Sequence, residues 1–362
     1  MKNYLALLAG LIVLAGCSDA PTATQASAAP QGTGPSFSLW GVDNDGDGLD
    51  DGTEWDLANQ YAPVLYMPNL ISRAEAGAGI AGDWTWPSTV SWYLPQIRMR
   101  IHHNNCSDHQ LLDFGQVNST NILQQSHQRY VRNWYGTCSH ESPWQYSNGS
   151  WHNDDHYFLQ AGNDDAVHPG IRDPGAWQTY FHAYRNTIGG VSIQYWFFYA
   201  YNDFVGSANH EGDWEHINVR LNASNQVDGI WYAQHNGAVH YYPWDVTWFG
   251  THPQVWVADG SHASYRSEGD CDYAFNEGLD GSCWTNAYQR WFTWGGGDTG
   301  EIGLRGGSLI NMGEQLSGAK RPMPGQEWVR YSGRWGEVGT TGPTSGPRGP
   351  AYQANWTREL AL

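Results

Sequence analysis

Two segments of this chain carry side chains whose types and spacing suit metal or acid–base chemistry. The first, Asp43-Asn44-Asp45-Gly46-Asp47-Gly48-Leu49-Asp50-Asp51-Gly52-Thr53-Glu54, fits D-x-D/N-x-D/N-G-x5-E at every position. Asp43, Asp45 and Asp47 offer carboxylates, Gly48 permits a sharp turn and Leu49 presents a backbone carbonyl. Asp51 acts through water, and Glu54 closes the sphere with both oxygens. A hard cation that takes about six to eight oxygens, Ca2+, is the ion such a set selects. An acidic, solvated linker is the plain alternative. The second segment is Asn209-His210-Glu211-Gly212-Asp213-Trp214-Glu215-His216-Ile217-Asn218-Val219. As a strand it puts Glu211, Asp213 and Glu215 on one face, successive carboxylates being about 6.5 Å apart along the backbone. Three like charges there repel unless a divalent cation sits among them or water covers the face. His210 joins that face only if Gly212 marks a bulge or His210 lies in the preceding loop. A polar rim is the alternative here.

Other candidates carry less. His152 and His156 flank Asp154 and Asp155, a spacing that suits either a metal pair on a helix or an exposed aromatic loop. His235 and His262 follow expected strands, where functional loops sit, and satisfied turn histidines are the competing account. Tyr241-Tyr-Pro-Trp244 and Trp291-Phe-Thr-Trp294 suit sugar stacking or core packing. Gly77-Ala-Gly-Ile-Ala-Gly82 matches G-x-G-x-x-G, but polar Ser72-Arg-Ala-Glu75 precedes it and Asp83-Trp-Thr-Trp-Pro87 follows, so it reads as a glycine-rich loop. There is no G-x-S-x-G elbow and no H-E-x-x-H helix.

The elements that position these residues read as strands. Ser192–Ala200, His216–Leu221, Gly229–Gln234 and Gln254–Ala258 are short, β-branched or aromatic, and bounded by Gly, Asn, Asp or Pro. Leu111–Val131 is the best helix candidate, and Glu54–Tyr61 reads as a short helix leaving the acidic loop. The expected fold is mainly β: a β-sandwich with long aromatic-rich loop insertions and a few short helices. With no internal repeat or second linker, 57–362 reads as one domain preceded by a calcium loop over 39–56.

Composition narrows the partners. Against 36 Asp and Glu stand 18 Lys and Arg, a net charge of −18, and Lys2 and Lys320 are the only lysines. Nucleic acid, which demands a basic face, is excluded as a partner. The chain holds 21 Trp, 21 Tyr and 10 Phe, rings that favour pleated sheets and whose surplus lines carbohydrate, lipid or interface surfaces.

The first residues read as an address. Lys2 precedes a short apolar run too short to span a bilayer, and Leu14-Ala15-Gly16-Cys17 resembles a bacterial lipobox. That resemblance implies a signal peptide over 1–16, lipidation (palmitate) at Cys17 and a membrane anchor, with Ser18 after the cysteine favouring the outer membrane. Residues 17–38 form a flexible tether rich in Ala, Pro, Thr and Gly, with a reach of about 25 Å. In an oxidising compartment Cys106, Cys138, Cys271 and Cys283 should form two disulfides, proximity favouring Cys106–Cys138 and Cys271–Cys283 among three connectivities. A four-thiolate zinc site lacks the usual close spacing.

GDWEHINVR (212–220), WYAQHNG (231–237), HPQVWVADGSHASY (252–265), GRWG (333–336) and GPRGP (346–350) resemble the vacuolar protein sorting-associated protein 62 family, which implies a β-sandwich without fixing an activity. More distantly, His210, Asp213 and Glu215 match the His-x-x-Asp-x-Glu pattern of the necrosis- and ethylene-inducing-peptide-like cytolysins, with Asp203 near the place of their upstream acidic ligand. Gly212 stands where those proteins carry a second histidine, and Asn209 where they carry a leading glycine. That resemblance implies a second divalent cation, Ca2+ or Mg2+, at Asp203, His210, Asp213 and Glu215. The resulting expectation is a surface-anchored, metal-dependent module that binds a glycan or lipid headgroup. A secreted hydrolase, with metal-activated water, Glu211 or Glu215 as base and His262 as acid, is the alternative. A purely structural surface protein is the third possibility.

Overall fold

The strand around Ser192–Ala200 shows no polar and apolar alternation, and burial on both faces is the physical reason. In the computed structural model, Val191–Asn202 lies inside a six-stranded sheet. Described are residues 41–80, 82–101, 108–123, 157–204, 208–235, 237–276, 283, 289–295, 304–305, 307–317, 320–339, 344–354 and 356. The order across this central sheet is Ser308–Asn311, Gln178–Arg185, Val191–Asn202, His210–Leu221, Val227–Gln234 and Gly237–Tyr241. Pairing is antiparallel except that Ser308–Asn311 runs parallel to Gln178–Arg185.

Strand side chains point alternately to opposite faces, and the two cores follow that period. Tyr195, Phe197 and Tyr199 join Ile217, Val219 and Tyr232 in one core, with Leu65, Val255 and Trp291 of a second sheet. That sheet includes Val64–Met67 running parallel to His252–Val257 and antiparallel to Gln289–Phe292. Trp196, Phe198, Ala200 and Trp214 enter the other core with Ile97, Met99, Tyr157 and Leu159. Those come from a three-stranded sheet in which Ile97–Ile101 pairs with His109–Leu112 and Tyr157–Ala161. The mainly β expectation is met, and one shared sheet carries a packed layer on each side. Among the described residues many aromatics serve these cores: Trp177, Trp196, Trp291, Trp328, Trp335 and Trp356 are fully buried.

The four expected strands are present, each extended by one to several residues at its N-terminal end. The helix expected over Leu111–Val131 is corrected within the described residues: His109–Leu112 is a strand and Asn121–Leu123 a single 3-10 turn. The polar composition offers no apolar face for a helix to bury, whereas Met99 and Arg100 supply a strand edge. The helix after the acidic loop begins earlier than expected, at Asp51, and runs to Tyr61, because Asp50 caps it by accepting from the Thr53 N–H. Cys271–Cys283 is a disulfide with Cα atoms 5.8 Å apart. Cys17, Cys106, Cys138, His152 and His156 lie outside the described residues.

Candidate functional site

The acidic loop is drawn into the body of the fold. Asn311 Nδ2 donates to Glu54 Oε2 (2.7 Å), Arg321 N–H to the Asp45 carbonyl (2.7 Å) and Arg185 Nε to the Gly48 carbonyl (3.1 Å). Positive φ at Gly46 and Gly48 lets the chain fold back on itself. Asp45 and Glu54 have no exposed surface, and Asp45 Oδ2, Asp47 Oδ2 and Glu54 Oε1 are buried without hydrogen-bond partners. One ligand atom each from Asp45, Asp47 and Glu54 lies within 4.8 Å of the others, and the same holds for Asp43, Asp45 and Asp51. Burial, then the charges of Asp45 and Asp47, push the Glu54 pKa up to about 10, and burial with Asp47 pushes Asp45 to about 7. Glu314, paired with His182 and 3.7 Å from Lys320 Nζ, adds to the negative field at both aspartates. Converging, desolvated, unpartnered carboxylates are costly alone and suited to a cation. Leu49 is buried here, its N–H donating to Asp47 Oδ1, while Asp43 and Asp51 accept loop N–H groups.

The second segment is the strand His210–Leu221, beside Val191–Asn202. Gly212 sits at φ +62, and a Cβ there would come within 2.3 Å of the Trp335 carbonyl. This glycine therefore both breaks the regular twist and admits the 333–336 segment. At Gly336 a Cβ would meet the Glu211 carbonyl at 1.9 Å, so the two backbones are in direct contact. The expectation that Glu211 shares a site with Asp213 and Glu215 is corrected on this ground. Glu211 turns to the three-stranded sheet, accepts the Ala161 N–H (3.1 and 3.2 Å) and lies 3.4 Å from His168 Nε2.

Asp213 meets the GSHASY turn instead. His262 Nδ1 is 2.8 Å from Asp213 Oδ2, and its Nε2 is 2.7 Å from Thr85 Oγ1 and 3.3 Å from Asp83 Oδ2. The ring stacks on Tyr199 at 3.7 Å. Burial opposes the imidazolium, but Asp83 and Asp213 outweigh it and push the His262 pKa up to about 9. Asp83, although buried, is held below the usual carboxylate range by His262. With 1% exposure and both nitrogens engaged, His262 is a buried ionic pin. The Cys271–Cys283 bridge packs behind the turn with Ala263 and Tyr265.

His210, Asp213 and Glu215 line a cleft of about 660 Å³. Asp203, the fourth expected ligand, does not: its oxygens accept Trp84 Nε1 (2.6 Å) and Asn209 Nδ2 (2.8 Å). His210 Nδ1 is 2.9 Å from the Gly212 carbonyl. Among the described residues, the groups of three or more His, Cys, Asp or Glu that converge within 4.8 Å all belong to the 43–54 loop, so the fold does not gather these four into a comparable cluster. His235, at φ +53, also lines the cleft, and Phe204 adds aromatic surface. Trp291 and Phe292 are core, whereas Trp244 is exposed and stacks on Tyr242.

The rest of the lining was not foreseen as functional. Arg334 of GRWG, Arg348 of GPRGP, Tyr352 and Gln353 complete the cleft. Asp83 and Thr85, which fix His262, were equally missed. Their side chains are ordinary polar residues whose role exists only through a contact 177 positions away for Thr85.

No family model matches this chain and no curated protein matches it, so the likeness to the vacuolar protein sorting-associated protein 62 family rests on the quoted motifs alone. Solved structures give partial matches. Necrosis and Ethylene inducing Protein 2 from the causal agent of cocoa's Witches Broom disease is 15% identical over 44% of this chain and 69% of its own, at a TM-score of 0.25. NLPPya in complex with glucosamine is 19% identical over 40% of this chain and 53% of its own, at 0.24. The non-toxic HaNLP3 protein is 14% identical over 43% and 56%, at 0.25. The chain thus spans little more than half the length of the latter two, and at such scores the likeness carries no weight for function.

Proposed function

We propose that this protein is a glycan-binding module of the cell envelope, with its cleft built on His210–Leu221 and its N-terminal arm clipped to the fold by Ca2+ at 43–54. The observation that carries the reading is the lining of the cleft. A sugar presents an apolar C–H face and a ring of hydroxyls, so its receptor needs flat aromatic surface beside directional polar groups. Phe204 and Tyr352 supply the first, and Asp213, Glu215, Arg334 and Gln353 the second. The volume, about 660 Å³, falls in the range of small-ligand sites, about 300–1,000 Å³. The Ca2+ assignment is supported by the three orphaned carboxylate oxygens of Asp45, Asp47 and Glu54. The reading requires no second cation in the cleft. His262, the acid of the hydrolase alternative, is buried and is not among the residues that line the cleft.

Titration calorimetry against a panel of oligosaccharides tests the proposal. Binding should be detectable for at least one member and fall about tenfold in Tyr352→Ala, with an unchanged melting temperature, as expected for loss of a single aromatic contact. Retention on phosphatidylcholine or phosphatidylethanolamine vesicles without any oligosaccharide binding would replace the sugar by a lipid headgroup. Release of reducing ends from the panel would make the protein an enzyme.

A further inference from the structure

The strand Gly237–Tyr241 closes the central sheet beyond Val227–Gln234, and among the described residues no further strand pairs with it. Exposed edges are usually blunted by charges, proline or a bulge, because their free N–H and C=O groups invite another chain. Gly237–Tyr241 holds no Asp, Glu, Lys, Arg or Pro, and its register with Val227–Gln234 is unbroken. The opposite edge is occupied differently: there Asn311 donates to Glu54 of the acidic loop. The register also fixes which backbone groups of Gly237–Tyr241 are free. Gln234 and Gly237 are partners with only two residues between them, and His235 takes the positive φ (+53) of such a tight hairpin turn. They are therefore a hydrogen-bonded pair, and antiparallel alternation makes Tyr232 with Val239, and Ile230 with Tyr241, pairs of the same kind. The N–H and C=O groups of Ala238 and His240 are left pointing away from the sheet.

The geometry points to a homodimer in which Gly237–Tyr241 pairs antiparallel with the same strand of a second copy, about a two-fold axis at Val239. Ala238 then lies opposite His240 of the second copy, and each such pair exchanges both of its N–H···O=C bonds, once on either side of the axis. A copy of this strand supplies those donors and acceptors at the required spacing by symmetry alone. Val239 meets its own counterpart at the axis, in the non-hydrogen-bonded pair where side chains are closest. Val239 is 39% exposed, and the strand runs into exposed Tyr242 (41%) and Trp244 (63%), which stack on each other at 4.6 Å. Covering this apolar surface favours association. Charge also favours this edge. The net charge of −18 makes two copies repel wherever their acids meet, yet the acids near this strand have basic partners. Arg220 pairs with Asp228, and Arg266 pairs with Asp270 and feels Asp245, while Tyr241 Oη donates to Asp270 Oδ2 (3.5 Å). Joined this way, two six-stranded sheets become continuous, and the two clefts, each lined by His235 of the same hairpin, fall on opposite sides of the axis. The pairing does not depend on the glycan reading.

Sedimentation velocity of the full chain, in detergent matched in density to the buffer, tests the inference. The wild-type protein should pass from monomer to dimer between about 1 and 100 μM, as suits a small edge interface. Its dissociation constant should fall about threefold or more as NaCl rises from about 50 to 500 mM, because salt screens the repulsion between two acidic chains. Val239→Lys sets two ammonium groups face to face and should weaken the dimer by about tenfold or more at an unchanged melting temperature. Val239→Cys should give a disulfide-linked dimer on mild oxidation, since opposite Cα atoms in such a pair stand about 4.5 Å apart, within the span of a disulfide. Ile188→Cys, at a site 46% exposed on a different turn, is the control and should stay unlinked. A wild-type chain that stays monomeric throughout overturns the inference. So does a dimer that weakens as salt rises, survives Val239→Lys intact, or fails to cross-link in Val239→Cys. The concentration and salt series need no substitution, so the inference can be refuted even if a variant loses its fold.

Discussion

His262 shows how a single residue is held against its ordinary preferences. It sits at φ +56, a left-handed conformation that most residues avoid, between two carboxylates and a threonine hydroxyl. A buried imidazolium between two partners stabilises the fold only while it keeps its proton. Its pKa rises from 6.5 to about 9, so that contribution is complete below pH 6.5 and is lost as the pH climbs through about 9. With Ca2+ saturating, the melting temperature of the wild-type protein should therefore fall between pH 7 and 9.5. His262→Asn, although less stable throughout, should lose less over that window. Parallel declines in the two proteins would show that the slope comes from other groups.

At the scale of elements, the strand His210–Leu221 depends on one glycine. Alternation alone would send Glu211 and Asp213 to the same face, and Gly212 diverts Glu211 to the three-stranded sheet while the 333–336 segment closes against it. Gly212→Ala combines the penalty of a left-handed alanine, about 1–2 kcal/mol, with a Cβ 2.3 Å from the Trp335 carbonyl. It should lower the melting temperature by about 5 °C or more and weaken ligand binding, since Arg334 moves with Trp335. Gly237→Ala, whose added Cβ would meet only the Gln234 carbonyl at 3.8 Å, should change neither and serves as the control. An unaltered melting temperature in Gly212→Ala would mean that the backbones are not in the contact described.

Over the whole molecule, the acidic loop ties the N-terminal arm to distant parts of the chain: Asn311 meets Glu54, Arg321 meets Asp45 and Arg185 meets Gly48. A cation that neutralises Asp45, Asp47 and Glu54 would lock this arm to the central sheet. Chelation should expose the 41–62 region to limited proteolysis and lower the melting temperature. Burial already keeps the Glu54 carboxyl protonated at neutral pH without calcium, so Glu54→Gln should then be no less stable than the wild-type protein while losing most of the calcium-induced shift. An undiminished shift in Glu54→Gln, read by differential scanning fluorimetry, would remove the loop as the calcium site.

The convergence of the acids of Asp43 through Glu54 was legible because they lie within twelve consecutive residues, so local spacing encodes the geometry. The strands were legible for the same reason: aromatic and β-branched runs such as Ser192–Ala200 favour extended backbone wherever they occur. The Cys271–Cys283 bridge followed from proximity. What the sequence left open was which motifs meet. Asp213, His262 and Asp83 form one ionic pin, and Arg334 and Arg348 line the same cleft as Asp213 and Glu215, although they lie far apart in sequence. No local propensity carries such information. It arises when a sheet buried on both faces forces the segments at its end to pack together, and when Gly212 and Gly336, lacking Cβ atoms, let two backbones approach closely enough to build the cleft.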